Sequence, residues 1–474
     1  MSAASAGPLR RRLDVLPVAL LVLLLAVVLR YSALHLGNTD TWFHLVLGDR
    51  FRHGWSLTDP GALTPFATSS WVPTQWSIEV LASQVQDWFG LPGVAWLFGA
   101  FFLAMVLGTY WTCRRRGRAL AAAVVTALVV FGAAPSLSAR PQVVSLVLLT
   151  VTVAAWLATW DDGRIRWWLV PMTWVWATAH GLWSAGVLLG LVCCVGLWLD
   201  GRYVGRRALL PFAVPVLSVL AAVLTPVGPR LLTSQLAVSA RTSLIGEWGP
   251  TSFRSLPALA VATMIAVLVV LWARDGRLSW TRIGLLLLAA AWTLTVSRMV
   301  ALGGVVLAPL LAEALERAIM RTSPSSARLA VPRPEQAALA LMGVGYLVVL
   351  AVAAPRAAAA PEEVPSRLAS RLEALPSGSV VLVEDGIGSW VEWRVPGVHP
   401  VIDGMLDAYP VGYIEDFFAA TRLEPGWRGF VERSGARVAV VEVGSPLTAA
   451  LVDDLRWRRI DEDGHWAYLV PSGP

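Results

Sequence analysis

Residues 10–44 read RRRLDVLPVALLVLLLAVVLRYSALHLGNTDTWFH, and this stretch sets the terms of the fold. Three arginines precede about twenty mostly apolar residues, enough helix to cross a hydrocarbon core of roughly 30 Å. A polar and aromatic segment follows at once: Asn38-Thr39-Asp40-Thr41-Trp42-Phe43-His44. An apolar run with arginine on one side and a chemistry-bearing segment on the other is a pattern to test along the chain.

The pattern recurs. Apolar stretches lie at 15–34, 93–112, 119–136, 142–159, 167–180, 184–200, 208–225, 257–273, 282–296, 299–316 and 336–354, which predicts about eleven transmembrane helices. The first run lacks an A-x-A cleavage site and is expected to be a retained helix, not a signal peptide. With 56% hydrophobic and only 15% charged residues, neither a water-soluble globule nor a disordered chain fits.

The chain contains no Lys, so its 38 fixed cations are all Arg. Residues 1–354 hold 27 Arg against 14 acids, a net of +13, and residues 355–474 hold 11 against 18, a net of −7. The overall +6 is therefore no basic face for nucleic acid. Arg10, Arg11 and Arg12, then Arg114, Arg115, Arg116 and Arg118, then Arg164 and Arg166, flank alternate spans. So do Arg202, Arg206 and Arg207, then Arg274, Arg277 and Arg282, then Arg317, Arg321, Arg328 and Arg333. Short cytoplasmic loops collect Arg, so all these segments are assigned to the cytoplasm, with the N-terminus. The region after 355 then lies outside it.

Two regions follow: 1–354 as a polytopic membrane domain with a long first outer loop at 36–92, and 355–474 as a small extracytoplasmic α/β domain. Strands are expected at 380–384, 400–403, 438–443 and 466–470, and helices at 364–375, 410–421, 425–435 and 446–455. The Ala/Pro-rich 357–365 reads as a linker. Cys113, Cys193 and Cys194 all lie in or at the ends of spans, so no disulfide staples the outer domain. Asp385-Gly386-Ile387-Gly388 falls short of a dinucleotide fingerprint.

This topology gathers unusual polar residues on the outer side: Asp40 and His44, Arg140, His180, Arg230, Glu247 with Trp248, and Arg298. Ionisable groups near a bilayer are costly, so they pair, line water or act. Each also has a plainer reading. Asp40 could simply cap the helix at 41–47. Arg140 and Arg298 could snorkel to headgroups, Glu247 could be solvated, and His180 could be a hydrogen-bonded helix end. Asp403-Gly404 could be only a turn. Asp40 and His44, four apart, share a helix face. That leaves a divalent cation open, but two ligands are too few to define a metal site. The Trp residues of 36–92 suggest helices lying at the membrane surface with aromatic faces in the headgroup zone.

At these motifs the chain resembles the GT-C superfamily of integral membrane glycosyltransferases, which includes protein mannosyltransferases and lipid A aminoarabinose transferases. The resemblance rests on Asp40-Thr41-Trp42-Phe43-His44, Gly48 to Gly54, and Thr58-Asp59-Pro60 through Trp71, Trp76 and Glu79. It extends through Ala139 to Gln142, His180-Gly181, Thr225 to Gly228 and Glu247-Trp248. In the outer domain it takes in Gly386, Trp390, Trp393, Pro396, Gly397, Ile402, Asp403, Gly404, Tyr409 and Pro410.

The resemblance implies transfer of a sugar from a polyprenyl-phosphate carrier to a glycan, lipid or protein acceptor of the cell envelope. The reaction would take place on the outer face of a bacterial plasma membrane. Asp40 matches the acidic residue that serves as base or orients the acceptor. Asn38 stands where many such enzymes carry a further acid. One base and cations on the departing phosphate suffice for such a transfer. On this reading Asp40 is catalytic. Arg140, Arg230 and Arg298 are candidates for the phosphate. His44, His180, Glu247, Trp248 and Asp403 are candidates for sugar or acceptor. A lipid-linked glycan transporter or flippase, and a catalytically silent scaffold of envelope assembly, are the competing readings. A transporter predicts mid-membrane acids and internal repeats, which the sequence does not display.

Overall fold

The computed structural model describes residues 8–34, 36, 38–239, 246–274, 278–320, 330–359 and 364–472. Its helices begin with α1 (Pro8–Leu34), α2 (Thr39–Arg52), α3 (Trp76–Arg114), α4 (Ala119–Ala133), α5 (Gln142–Asp162) and α6 (Leu169–Ala179). They continue with α7 (Trp183–Leu199), α8 (Ala213–Val223), α9 (Arg230–Ser239), α10 (Leu256–Trp272), α11 (Trp280–Thr295), α12 (Val300–Met320) and α13 (Arg333–Ala359). Among the described residues, seven helices are long and apolar enough to cross a membrane, and three shorter apolar ones stand at α7, α10 and α11. All eleven expected spans coincide with helix. The fifth and seventh fall on the shortest of these helices, α6 and α8, with 11 residues each. The protein is a multi-pass helical membrane protein with a small C-terminal α/β region.

The chain divides into two compact units. The first comprises Met1–Ala33, Trp96–Thr225 and Ile245–Ala354. Its centre is α12, which packs against α4, α5, α10 and α11. Lipid is as apolar as leucine, so helices in a membrane associate through close packing and not through the hydrophobic effect. Small residues permit it. A Cβ on Gly303 of α12 would lie 2.1 Å from Thr293 Oγ1 and 2.9 Å from the Ala289 carbonyl of α11. By contrast, α1 and α13 expose Val18, Val22, Leu23, Leu341, Val344 and Val348, an apolar surface suited to lipid.

Several arginines of the predicted cytoplasmic clusters also staple helix ends. Arg114 Nε pairs with Glu335 Oε1 at 2.8 Å, Arg116 Nη2 with Asp161 Oδ2 at 2.8 Å, and Arg282 Nη2 with Glu313 Oε1 at 2.9 Å. Arg317 shares Glu313. Arg277, Arg321 and Arg328 lie outside the described residues, as do positions 360–363 of the expected linker. Positions 357–359 of that linker are the end of α13.

The second unit comprises Leu34–Ala95, Pro226–Leu244 and Pro355–Pro474. One boundary between the units falls at 354/355, and residues 34–95 and 226–244 join the C-terminal region in the second unit. That region holds a five-stranded sheet of β1 (Val380–Val383), β2 (His399–Pro400), β3 (Val438–Glu442), β4 (Arg458–Asp463) and β5 (Trp466–Val470). The strand order is β2-β1-β3-β5-β4. β1 runs parallel to β2 and β3, while β5 runs antiparallel to β3 and β4. The helices are α14 (Ala369–Glu373), α15 (Gly388–Arg394), α16 (Val411–Thr421), α17 (Trp427–Ser434) and α18 (Pro446–Asp453).

Strand β4 and helix α15 are absent from the expected elements. β4 reads RRIDED, with no apolar alternation, because it is an edge strand whose charges guard against further pairing. At the other edge, Pro400 ends β2 early, and the expected strand at 400–403 becomes a turn.

Residues 36–92 do not lay their tryptophans on a membrane surface throughout. Trp42 is 0% exposed, with its ring centroid 4.7 Å from that of Trp393 on α15. Trp71 is buried and donates through Nε1 to the Gly61 carbonyl at 3.1 Å. Ser69 N donates to the Ala408 carbonyl at 2.8 Å, and Phe66 stacks on Tyr413 at 5.6 Å. Trp42 and Phe66 pack on rings of the C-terminal region and Trp71 bonds within its own loop, so these rings are spent inside the unit and not on headgroups.

Candidate functional site

In the second unit the site residues start from a helix cap. Asn38 has extended backbone, and its Oδ1 accepts the Asp40 N–H at 3.0 Å. Asn38 is thus the N-cap of α2, and Asp40 sits in the first turn, half-buried. The reading of Asp40 as the cap is corrected: capping falls to Asn38. An acid in the first turn also meets the positive end of the helix dipole.

One turn on, His44 is 4% exposed, and its Nδ1 lies 2.8 Å from Glu79 Oε1, itself on a buried residue of α3. The crossing of α2 and α3 that makes this pair is set by Gly48. A Cβ there would lie 2.0 Å from the Glu79 carbonyl oxygen. Among the described residues, no group of three or more His, Cys, Asp or Glu could hold a metal ion.

Asp403 is 1% exposed. Its Oδ1 accepts the Met405 N–H at 2.6 Å, and its own N–H donates to Tyr409 Oη at 3.2 Å. Burial pushes its carboxyl up from the usual range to about 6. Glu392 of α15 faces it, and burial followed by the Asp403 charge raises its carboxyl well above normal. Next in sequence, Gly404 donates its N–H to Ser389 Oγ at 2.8 Å. A Cβ on Gly404 would stand 3.2 Å from Asp40 Oδ1. The turn after β2 is thus built against the Asp40 end of α2. Arg230 is engaged elsewhere: its guanidinium donates to the backbone carbonyls of Thr58 and Trp71, the latter at 2.9 Å. It braces the loop between α2 and α3.

The first unit carries the other cluster. Arg140, 6% exposed, donates from Nε to Ser138 Oγ at 2.8 Å and from Nη2 to Glu247 Oε1 at 3.0 Å. Arg298 Nη1 lies 3.5 Å from Glu247 Oε2, and its guanidinium sits 5.0 Å from the centre of the Trp248 ring. The Ser297 N–H and hydroxyl donate to the carbonyls of Gly249 and Pro250, both at 3.1 Å, tying the two loops together. Burial alone would raise the Glu247 carboxyl, but the two guanidinium groups outweigh it and hold it below the usual range. Two arginines thus converge on one carboxylate in a partly buried, aromatic-walled setting.

His180 ends α6 and is buried. The Leu182 N–H donates to its Nδ1 at 3.3 Å, and Ser145 Oγ lies 2.9 Å from the same atom. Nδ1 is therefore an acceptor, and the ring proton belongs on Nε2. Ser145 in turn accepts from Trp176 Nε1 at 2.7 Å.

The structure thus brings Arg140, Glu247, Trp248 and Arg298 together in the first unit. It places Asp40, His44, Arg230 and Asp403 in the second. Sequence reasoning named Glu79 only as part of a motif, without its His44 partner, and missed the buried Glu392. The signal for Glu392 was an acid wedged in Trp390-Val391-Glu392-Trp393, where a solvated surface residue is out of place.

No protein-family model matches the sequence. No curated protein matches it either. The fold is similar to that of the Archaeoglobus fulgidus oligosaccharyltransferase in the apo form, with a TM-score of 0.53 at 11% identity over 90% of this chain and 70% of that one. It is similar to ArnT from Cupriavidus metallidurans bound to undecaprenyl phosphate, with a TM-score of 0.52 at 15% identity over 97% of this chain and 99% of that one. Against the apo state of the same ArnT the TM-score is 0.51 at 15% identity, over 96% and 99%. At such identities the likeness is one of fold, and it spans nearly the whole chain. In fold, then, this chain is similar to these oligosaccharyltransferase and ArnT structures.

Proposed function

We propose that this protein is a GT-C-type glycosyltransferase that moves a sugar from a polyprenyl-phosphate carrier to a cell-envelope acceptor. The reaction would take place on the outer face of a bacterial plasma membrane, with the N-terminus cytoplasmic and the second unit outside. The observation that carries this reading is the end-to-end likeness to ArnT bound to undecaprenyl phosphate. The Arg140–Glu247–Arg298 cluster supports it, because guanidinium groups are the planar donors that a phosphate takes.

In the reaction proposed, the Asp40 carboxylate takes the proton of an acceptor hydroxyl. The acceptor oxygen then bonds to the anomeric carbon as the bond from that carbon to the phosphate oxygen breaks. The carrier phosphate leaves with the electron pair, and Arg140 and Arg298 are the candidates to meet its charge. Trp248, Glu247 and His180 are candidates for the sugar or acceptor hydroxyls. His44 and Asp403 are assigned to holding Asp40's surroundings in place, and Arg230 to bracing its loop.

The test is mass spectrometry of envelope glycans and lipid-linked sugars from a deletion strain complemented with wild type or with Asp40→Asn. The reading requires a lipid-linked sugar to accumulate and a modified glycan to vanish in the deletion, with only wild type restoring both. Full restoration by Asp40→Asn would remove Asp40 as the base. An unchanged glycan profile with a lipid-linked glycan trapped on one leaflet would favour transport instead.

A further inference from the structure

The Asp403–Glu392 pair is more than two buried acids. Neither carboxyl oxygen of Glu392 meets a hydrogen-bond donor among the described residues, and the same holds for Asp403 Oδ2. The two side chains lie within hydrogen-bonding reach of each other. Two carboxyl groups can bond only through a proton, and two bare carboxylates at that range in a buried site would repel strongly.

What the pair holds is specific. Glu392 belongs to α15, which packs on α2. Asp403 opens the turn at 402–405, and Gly388 at the start of α15 interlocks with that turn: a Cβ there would fall 1.8 Å from the Ile402 carbonyl oxygen. On its other side, the turn presents Gly404 to Asp40 Oδ1 and Phe43, at 3.2 and 3.0 Å from a would-be Cβ. A turn pinned to α15 by its acid is thus also the floor under the first turn of α2.

We propose that Asp403 and Glu392 are positioning residues, and that one proton shared between their carboxyls locks the 402–405 turn against the first turn of α2, holding the Asp40 carboxylate in place. This rests on the reading of Asp40 as the base only for its functional consequence. The lock itself is a claim about a proton and a turn. Removing the proton leaves two buried like charges, and the turn relieves them by moving away from α15 and α2.

The ionisable groups facing the pair are few. From α2, Arg50 favours the charged form of Glu392, and Asp40 lies beyond Gly404. From the segment after the turn comes the Tyr409 hydroxyl, which also meets Thr64 Oγ1 at 3.1 Å. Arg50 opposes the lock without neutralising both acids. The raised carboxyls accord with one proton being retained near neutrality.

The test uses the full chain in lipid nanodiscs, with Asp and Glu selectively labelled with 13C. Infrared spectra at neutral pH should contain a protonated carboxylic-acid C=O band that shifts with both labels and fades as the pH is raised. It should be missing in Glu392→Gln, and in Asp403→Asn any remaining band should shift with the Glu label alone. Hydrogen exchange, corrected for the intrinsic rate, should show protection at 39–43 and 402–405 falling over the same pH range in wild type. Glu392→Gln supplies an amide donor at every pH, so its protection should be retained and pH-independent, whereas Glu392→Ala should lose it throughout. The proposal is overturned if wild type shows no such band near neutrality, or if protection in Glu392→Gln still follows pH as in wild type. Neither readout involves sugar transfer, so failure of the glycosyltransferase reading would leave both unmoved.

Discussion

Asn38 Oδ1 accepts the Asp40 N–H at 3.0 Å, so the first polar residue of the motif holds the helix and the second presents an acid. The two positions should separate on mutation. Asn38→Ala removes a cap and should cost about 1 kcal/mol of stability. Asp40→Asn removes the carboxylate and a dipole interaction of roughly 0.3–1 kcal/mol, and should abolish transfer. Thermal unfolding of the purified variants beside the glycan profile checks both. A strongly destabilised Asp40→Asn with residual activity would contradict the division of labour.

Gly48→Ala should be among the most damaging single substitutions in α2. Its new Cβ would sit 2.0 Å from a backbone oxygen of α3, which no rotamer change can relieve. Overpacking of this kind costs typically about 1–3 kcal/mol, and here it would also pull His44 away from Glu79. A melting temperature within a degree of wild type would show that α2 and α3 are not so tightly crossed.

Glu247 should give the first unit an acid limit. Its folded carboxyl titrates below the ordinary value of 4.5. Its ion pairs therefore contribute fully above that value and are lost as the pH falls through the lower folded value. Unfolding temperature should drop in wild type on acidification below about 4.5, and Glu247→Gln should lack that component of the drop.

The acid pair predicts the opposite slope for the second unit. Asp403 is raised from 3.8 to about 6 and Glu392 is raised from 4.5, so the folded state keeps protons that the unfolded chain has lost. Stability should then fall as the pH rises from about 4 through 6, and Asp403→Asn should flatten the slope. Local unfolding followed by hydrogen exchange in the sheet is the measurement. A wild-type slope unchanged in Asp403→Asn would place the titration elsewhere.

Parts of this molecule were legible because their signals are local. Apolar runs of membrane length are contiguous, so all eleven expected spans land on helix. Val438 to Glu442 reads as a strand because four of its five residues are apolar or small and buried. β4 was hidden because an edge strand needs no apolar face, and α15 because its seven residues are too few to show a period.

The site divides in the same way. Sequence alone determined that Asp40, Arg140, Glu247 and Arg298 stand at helix ends, since hydropathy breaks are local. It also determined that these are residue types suited to phosphate and proton chemistry. Only the tertiary structure decided that Arg140 meets Glu247 across a sequence separation of 107, that Arg230 is taken up by carbonyls of Thr58 and Trp71, and that Asp403 faces Glu392. The reason is physical: a burial cost falls on one residue, but the partner that repays it is chosen by how distant elements pack, and no local pattern encodes that.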